Sequence, residues 1–357
     1  MIVDTGNYDV IIERGALENA GRYIHNVTGS CRCLVSTDTN VSPLYLHALE
    51  KSLMSSGLDV AKAFVFDAGE ESKNLEVLKK LLVHMADEGL TRSDIVIALG
   101  GGVTGDLTGF ASSVYLRGIR FVQIPTTMLA AVDSSVGGKT AVDLGPYKNT
   151  VGAFHEPALV ICDPDTLKTL SEEQMACGMA EAIKMGYICD SKLLDLMKSS
   201  CNRDEIIETV IERCVKDKAE IVSEDFRDNG IRQKLNLGHT VGHAVEALSD
   251  FSVLHGMAVA SGMALITKAA ANRGYCEPEI YDDMTDILKK YGLDPYLYLR
   301  YSPEEISGAA MHDKKKRGGM ITIVIPTGYG NSRLLTIQAT ELIDFIRDGF
   351  DNGNDSE

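Results

Sequence analysis

No apolar run reaches the roughly eighteen residues that a membrane-spanning helix requires, and the start, MIVDTGNYDVIIERG, has no basic region followed by an apolar one. Neither a membrane span nor a signal peptide is expected. Basic charge is not in excess either: the formal net charge is −16, which argues against a nucleic-acid surface but leaves room for a locally basic pocket around an anionic substrate. The eight cysteines are scattered and contain no CxxC pair, so they read as small buried side chains in a reducing compartment, with no disulfide framework. Low-complexity sequence is confined to the acidic end, DGFDNGNDSE. What remains is a cytoplasmic globular protein of 357 residues, 45% hydrophobic and long enough for two domains.

The first half alternates short β-rich runs with amphipathic ones. Strands are expected at 9–13, 33–37, 61–67, 94–100, 120–126 and 158–163, with helices such as 43–56 and 73–89 between them, a parallel α/β pattern. After about residue 170 the strand signals nearly vanish and helices are expected at 172–189, 204–222, 238–249, 256–273 and 278–291. One late pair, 320–326 and 333–337, reads as a hairpin. The expected domains are therefore 1–168, α/β, and 169–357, mainly α-helical.

Chemistry concentrates in a few stretches. LNLGHTVGHAVEALSDFSVLHGMAVA carries His239 and His243 at i and i+4 of an expected helix, and His255 before a second helical run. An HxxxH pair lacking the Glu of HExxH is no zincin signature. With the third histidine and a fourth candidate, Glu181 in GMAEAIKMG, the set suits a catalytic metal with an open position, whereas a structural zinc usually recruits cysteines. The strand 94–100 runs into GGGVTGD, where Gly100, Gly102 and Gly105 satisfy GxGxxG and offer backbone amides to a pyrophosphate, with Asp106 as cap or ribose contact. No acidic residue follows at the usual distance, so the adenosine end falls to earlier loops, at Asp38 and at GEESK with Glu70 and Lys73. GGKT at 137–140 imitates a P-loop but lacks its first glycine, since position 133 is Asp; with Lys148 and Asn149 it makes an anion-binding loop instead of a nucleotide triphosphatase site.

Taken together, GGGVTGDLTGFASSVYLRGIRFVQIPTT, DSSVGGKT, KNTVGAF, GMAEAIK, GIRQKLNLGHTVGHAVE, LHGMAVASGM and DKK resemble, in order and spacing, the 3-dehydroquinate synthase family. That resemblance implies an N-terminal Rossmann-like α/β domain, an α-helical C-terminal domain, and an active site in the cleft between them. It implies zinc, or cobalt, held by Glu181, His239 and His255. NAD is implied at Asp38, Glu70, Lys73, Gly102, Val103, Thr104, Gly105, Asp106, Thr126, Thr127, Lys139, Lys148, Thr166 and Thr169. The substrate pocket would take Asp133, Lys139, Asn149, Lys184, Lys218, Arg232, Asn236, His243 and Lys315 of DKK. Arg117 would reach into the neighbouring subunit's site, so a homodimer is implied. Two positions depart from the family's usual pattern, Phe226 where it has Glu and Tyr147 where it has Gly.

The implied reaction converts 3-deoxy-D-arabino-heptulosonate 7-phosphate to 3-dehydroquinate and phosphate, in the shikimate pathway of aromatic amino acid biosynthesis. It runs through transient oxidation of the C5 hydroxyl by NAD, phosphate elimination with the phosphate as base, reduction by the retained NADH, and ring opening with intramolecular aldol closure. Such an enzyme is a lyase, not a dehydrogenase. Another sugar phosphate cyclase is the nearer rival; a metal-dependent polyol or glycerol dehydrogenase is opposed by Lys139, Lys218, Arg232 and Asn236, which suit an anion.

Overall fold

Uninterrupted apolar runs become buried strands in the computed structural model, which describes residues 1–145, 147–312 and 319–350. In chain order the strands are β1 (Ile2–Asp4), β2 (Asp9–Ile12), β3 (Arg32–Asp38), β4 (Asp59–Val60), β5 (Phe64–Phe66), β6 (Ile95–Gly100) and β7 (Arg120–Pro125), of which β1, β4 and β5 are short and partly exposed; β8 (Lys139–Leu144) and β9 (Tyr147–Phe154) form a separate hairpin before β10 (Leu159–Cys162). The large sheet has the order β1-β2-β10-β7-β6-β3-β4, with β5 also on β3, and every pairing except β1 with β2 is parallel. β6 and β10 are buried at every residue. Both faces of a parallel sheet are covered, which is why these strands read as continuous apolar runs.

The two-residue period of a strand sorts side chains to opposite faces. Cys33, Val35, Ile95 and Ile97 pack with Leu17, Ile24, Leu49 and Leu53 of α1 (Ala16–Thr28) and α2 (His47–Ser55). Leu34, Val96 and Phe121 pack with Leu78, Leu81, Leu107 and Phe110 of α3 (Leu75–Asp87) and α4 (Gly102–Val114). The helix after β3 thus lies on one face and the helix after β6 on the other. The carboxyl ends of β3 and β6 flank this change in winding, the place where open α/β sheets bind ligands.

This sheet belongs to a unit comprising Met1–Leu170 and Ile207–Arg227. Two local expectations differ. Within 61–67 only β5 forms, on the end of β3. Residues 139–154, expected as a loop, are the β8–β9 hairpin: Val142 is fully buried in the α3–α4 core, and Asp143 N donates to Lys73 O at 2.8 Å.

The second unit comprises Ser171–Ile206 and the described residues after Arg227. It holds α5 (Glu172–Ile188) and α6 (Ser191–Ser199), the first residues of α7 (Arg203–Glu224), α8 (His239–Leu248), α9 (His255–Asn272), α10 (Pro278–Lys290), α11 (Pro303–His312) and α12 (Leu342–Phe350). The hairpin of β11 (Met320–Gly328) and β12 (Asn331–Gln338) completes it. α9 is buried along most of its length and packs against α5, α8, α10 and α12. None of the eight cysteines is in a disulfide. Among the described residues, no helix is long and apolar enough to cross a membrane.

Candidate active site

In the first unit, β6 delivers its chain into α4 through Gly101, so the amides of Gly102, Val103, Thr104 and Gly105 form the helix's first turn. Asp38, at the end of β3, ties this turn to its own loop: Oδ1 accepts from Asn40 N at 2.9 Å and Val41 N at 3.0 Å, and Oδ2 accepts from Thr104 Oγ1 at 3.3 Å. Asp106 lies one turn on, 2.8 Å from Nζ of the buried Lys73, which is also 3.6 Å from Glu70; Lys148 reaches Glu70 from β9 at 3.9 Å. Burial pushes the Asp106 carboxyl up, outweighing Lys73 beside it. Burial works against protonated Lys73, but the charges of Asp106 and Glu70 prevail and raise its pKa.

Thr126 Oγ1 is buried with no hydrogen-bond partner, while Thr127 Oγ1 accepts from Ala130 N at 3.2 Å. Tyr45 OH donates to Thr166 O at 2.9 Å and shares a hydrogen bond of 2.7 Å with Thr169 Oγ1. Asp38, Thr104, Asp106, Lys73, Glu70 and Lys148 thus gather around the α4 turn, at the change in winding.

Of the cations expected to bind an anion, Lys218 and Lys184 are paired with acids, Asp133 and Glu181. Lys218, nearly buried on α7, donates to Asp133 through both the carbonyl, at 2.6 Å, and Oδ1, at 2.8 Å. Lys139 is exposed at the start of β8. Asn149 takes φ 53°, a left-handed conformation asparagine tolerates, with its N–H donated to Asp143 Oδ1 at 2.7 Å. Arg232 is buried and Asn236 exposed in the helical turn Ile231–Asn236. Phe226 packs on Phe154 at 5.2 Å between ring centroids, and Arg227 covers that ring, while Tyr147 is exposed. Arg117 is exposed on a turn where Leu116 and Arg117 both have positive φ, 50° and 70°. Lys315 lies outside the described residues.

The second unit assembles the histidines through close helix approach. A Cβ on Gly262 of α9 would stand 2.1 Å from Gly238 O, and one on Gly256 would stand 2.3 Å from Cys177 O, so α9 lies directly on α8 and on α5. Those contacts bring His255 beside both His239 and Glu181, which follows Cys177 by one helical turn. The rings of His239 and His255 are 5.2 Å apart, and Glu181 Oε1 is 3.8 Å from His239 Nε2 and 3.6 Å from His255 Nε2.

Glu181 is buried and its Oε2 pairs with Lys184, but Oε1 has no hydrogen-bond partner. Three atoms so placed fit a divalent cation, since tetrahedral bonds of zinc length set ligand atoms about 3.4 Å apart. His239 Nδ1 lies 3.2 Å from Leu237 O, and donation there would leave the Nε2 lone pair available to a cation. Burial, then the charges of Lys184 and the neighbouring histidines, hold His239 well below the usual imidazole range. Burial also opposes protonation of His255, but the hydrogen bond and charge of Glu246 outweigh it and raise the pKa. His243, exposed, stands edge-on to His239 at 5.4 Å and is not part of this triad.

Sequence reasoning passed over Glu246. It is buried on α8, with Oε2 3.2 Å from His255 Nδ1. Its spacing was the available signal: three residues after His243 and seven after His239 is the same helix face.

Comparison with known proteins matches residues 63–177 to the family 3-dehydroquinate synthase N-terminal and residues 178–316 to 3-dehydroquinate synthase C-terminal. The 3-dehydroquinate synthase of Enterococcus faecalis is 41% identical over 346 residues, covering 96% of each chain. Among solved structures, 2-epi-5-epi-valiolone synthase from Streptomyces hygroscopicus subsp. jinggangensis, with NAD+ and Zn2+ bound, superposes with a TM-score of 0.86 at 28% identity over 96% of each chain. A 2-deoxy-scyllo-inosose synthase complexed with carbaglucose-6-phosphate, NAD+ and Co2+ gives 0.84 at 25% identity, covering 98% of this chain and 99% of that one.

Proposed function

The chain belongs to the 3-dehydroquinate synthase family, and we propose that Glu181, His239 and His255 hold its divalent metal while the β3–β6 switch point holds its NAD. The enzyme is a phosphate-eliminating carbon–oxygen lyase that converts 3-deoxy-D-arabino-heptulosonate 7-phosphate to 3-dehydroquinate and phosphate, with NAD and zinc or cobalt as cofactors. The observation that carries the ligand assignment is the buried, unsatisfied Glu181 Oε1 facing two imidazole Nε2 atoms.

When bound, the cation supplies Lewis acidity at a secondary alcohol and NAD supplies an acceptor for its hydride. The chain's own residues do the rest. The amides of Gly102, Val103 and Thr104 hold the pyrophosphate, with Gly105, whose N–H is donated to Gly101 O, letting the chain come close; Asp38 holds a ribose, and Lys73, fixed by Asp106 and Glu70, orients the turn. Thr126, Thr127, Lys139, Lys148, Thr166 and Thr169 complete that site. Lys218, Arg232, Asn149, Asn236, Lys139 and Lys184 bind the substrate's carboxylate and phosphate, a task that needs localised cations even in an acidic protein. Asp133 fixes Lys218. His243, on the surface of α8, holds and returns a proton at an imidazole nitrogen.

The reading extends to a cytoplasmic homodimer in which Arg117 of one copy completes the other's site. It is supported by an exposed arginine on two successive left-handed residues, braced by Arg92 Nε donating to Leu116 O at 3.0 Å. The domain assignment, 1–168 for NAD and 169–357 for metal and substrate, is kept for NAD and metal, while Asp133, Lys139, Asn149 and Lys218 place part of the substrate's contacts in the first unit, to which Ile207–Arg227 also belongs.

Metal content after dialysis tests the ligand set. His239→Ala and His255→Ala are expected to lose the metal, whereas His243→Ala keeps it and loses turnover. Full metal in His255→Ala removes that residue from the set.

A further inference from the structure

We infer that Glu246 is a positioning residue for the metal site: its buried carboxylate accepts the Nδ1 proton of His255 and holds that ring with Nε2 turned toward Glu181. The inference rests on the ligand set proposed above. His255 Nδ1 lies 3.2 Å from Glu246 Oε2, and His255 Nε2 lies 3.6 Å from Glu181 Oε1, so the two ring nitrogens face two different carboxylates. A neutral imidazole has one N–H and one lone pair. Donation from Nδ1 therefore fixes the tautomer and leaves the lone pair on Nε2, the atom that faces the third ligand.

The two histidine ligands are backed differently. His239 Nδ1 meets the neutral carbonyl of Leu237, also at 3.2 Å, within its own turn. His255 opens α9, where its own helix supplies no such acceptor, and the support comes instead from α8. Glu246 is only 3% exposed. A carboxylate is costly to bury unless it is hydrogen-bonded, so its place on the histidine side of α8 is consistent with a task there. α8 thereby supplies one ligand, His239, and the brace for another, joining two helices at a single site. A carboxylate behind a ligating imidazole raises its basicity and fixes its orientation, and losing such a partner typically weakens metal binding about 10–100-fold.

The atoms of His243, Glu246 and His255 also lie within 4.8 Å of one another. In that grouping Glu246 would be a ligand itself. The hydrogen bond at Nδ1 favours the positioning role, because a nitrogen that donates a proton cannot also ligate.

The test is titration of metal-stripped protein with Co2+, followed by visible absorption, for wild type, E246Q, E246D, E181Q and H255A, with melting in chelator as the check on folding. The inference expects E246Q to melt with the wild type in chelator and to bind Co2+ about 10–100-fold more weakly with unmoved bands. E246D should recover part of the loss, and it serves as the probe if E246Q does not fold. Affinity within about three-fold of wild type in a folded variant, or displaced bands showing a lost carboxylate ligand, overturns it. If E181Q and H255A also bind Co2+ normally, the ligand set itself fails; if they are weakened while E246Q is not, only the role of Glu246 fails.

Discussion

Lys184 and Glu181 form an ion pair on α5, three residues apart, in which each side chain is 1% exposed and only one of Glu181's two oxygens is engaged. The pair leaves Oε1 turned toward His239 and His255. Lys184 sets a positive charge beside the buried carboxylate and fixes its orientation in the core.

Removing that charge is expected to hurt the metal-free protein most. Breaking a buried pair by deleting one partner costs about 3–5 kcal/mol, because the other charge is left buried. Lys184→Met should therefore melt well below wild type in chelator, and saturating Zn2+ should narrow the gap by supplying a new positive charge. An equal deficit with and without metal contradicts this coupling.

The glycine contact between α8 and α9 gives a sharper steric test. Gly262→Ala places a methyl 2.1 Å from Gly238 O, so the helices must part, at an expected loss of about 1–3 kcal/mol and with weaker metal binding, since His239 and His255 sit on opposite sides of that seam. Gly308, inside α11, has nothing within 4 Å of its Cβ position. Gly308→Ala is expected to stabilise by up to about 1 kcal/mol, from helix propensity alone. Denaturant unfolding of both variants reads the contrast.

Acid sensitivity should trace in part to Asp94. Its carboxylate accepts from Arg32 N at 2.9 Å, Thr91 N at 2.6 Å and Thr91 Oγ1 at 2.7 Å. Burial alone would raise the pKa, but these bonds and the Arg32 charge bring it below the ordinary 3.8. A group depressed in the folded state contributes in full above its unfolded value and loses that contribution as pH falls through the folded one. Asp94→Asn is expected to be about 1–3 kcal/mol less stable at pH 7, with the gap closing below about pH 4. A gap of equal size at both pH values contradicts the assignment.

Much of this was legible in the sequence, for physical reasons. Strands buried on both faces announce themselves as apolar runs, hence β6 and β10, and a glycine turn after such a strand marks the start of α4. Short or half-exposed strands carry no such signal. β1 was not expected, and β8 and β9 read as a glycine-rich loop until Val142 is seen filling the α3–α4 core. Periodicity also does not say which helix packs where, so nothing local assigns Ile207–Arg227 to the first unit.

Helical spacing located the histidines but does not say which of them face Glu181. His239 and His243 share a face at i and i+4, yet Nε2 of His239 shares Glu181 Oε1 with His255, which arrives from another helix through contacts at Gly238 and Gly256. Resemblance to a family supplied that partition; spacing could not. Glu246 escaped because its role exists only once α9 is in place.

As a cyclase, the enzyme recycles its NAD. Purified protein supplied with Zn2+, 3-deoxy-D-arabino-heptulosonate 7-phosphate and NAD far below the substrate concentration is expected to release inorganic phosphate in large excess over NAD, with no net rise in NADH absorbance. NADH accumulating with turnover, or phosphate released from sedoheptulose 7-phosphate but not from the heptulosonate phosphate, would contradict it.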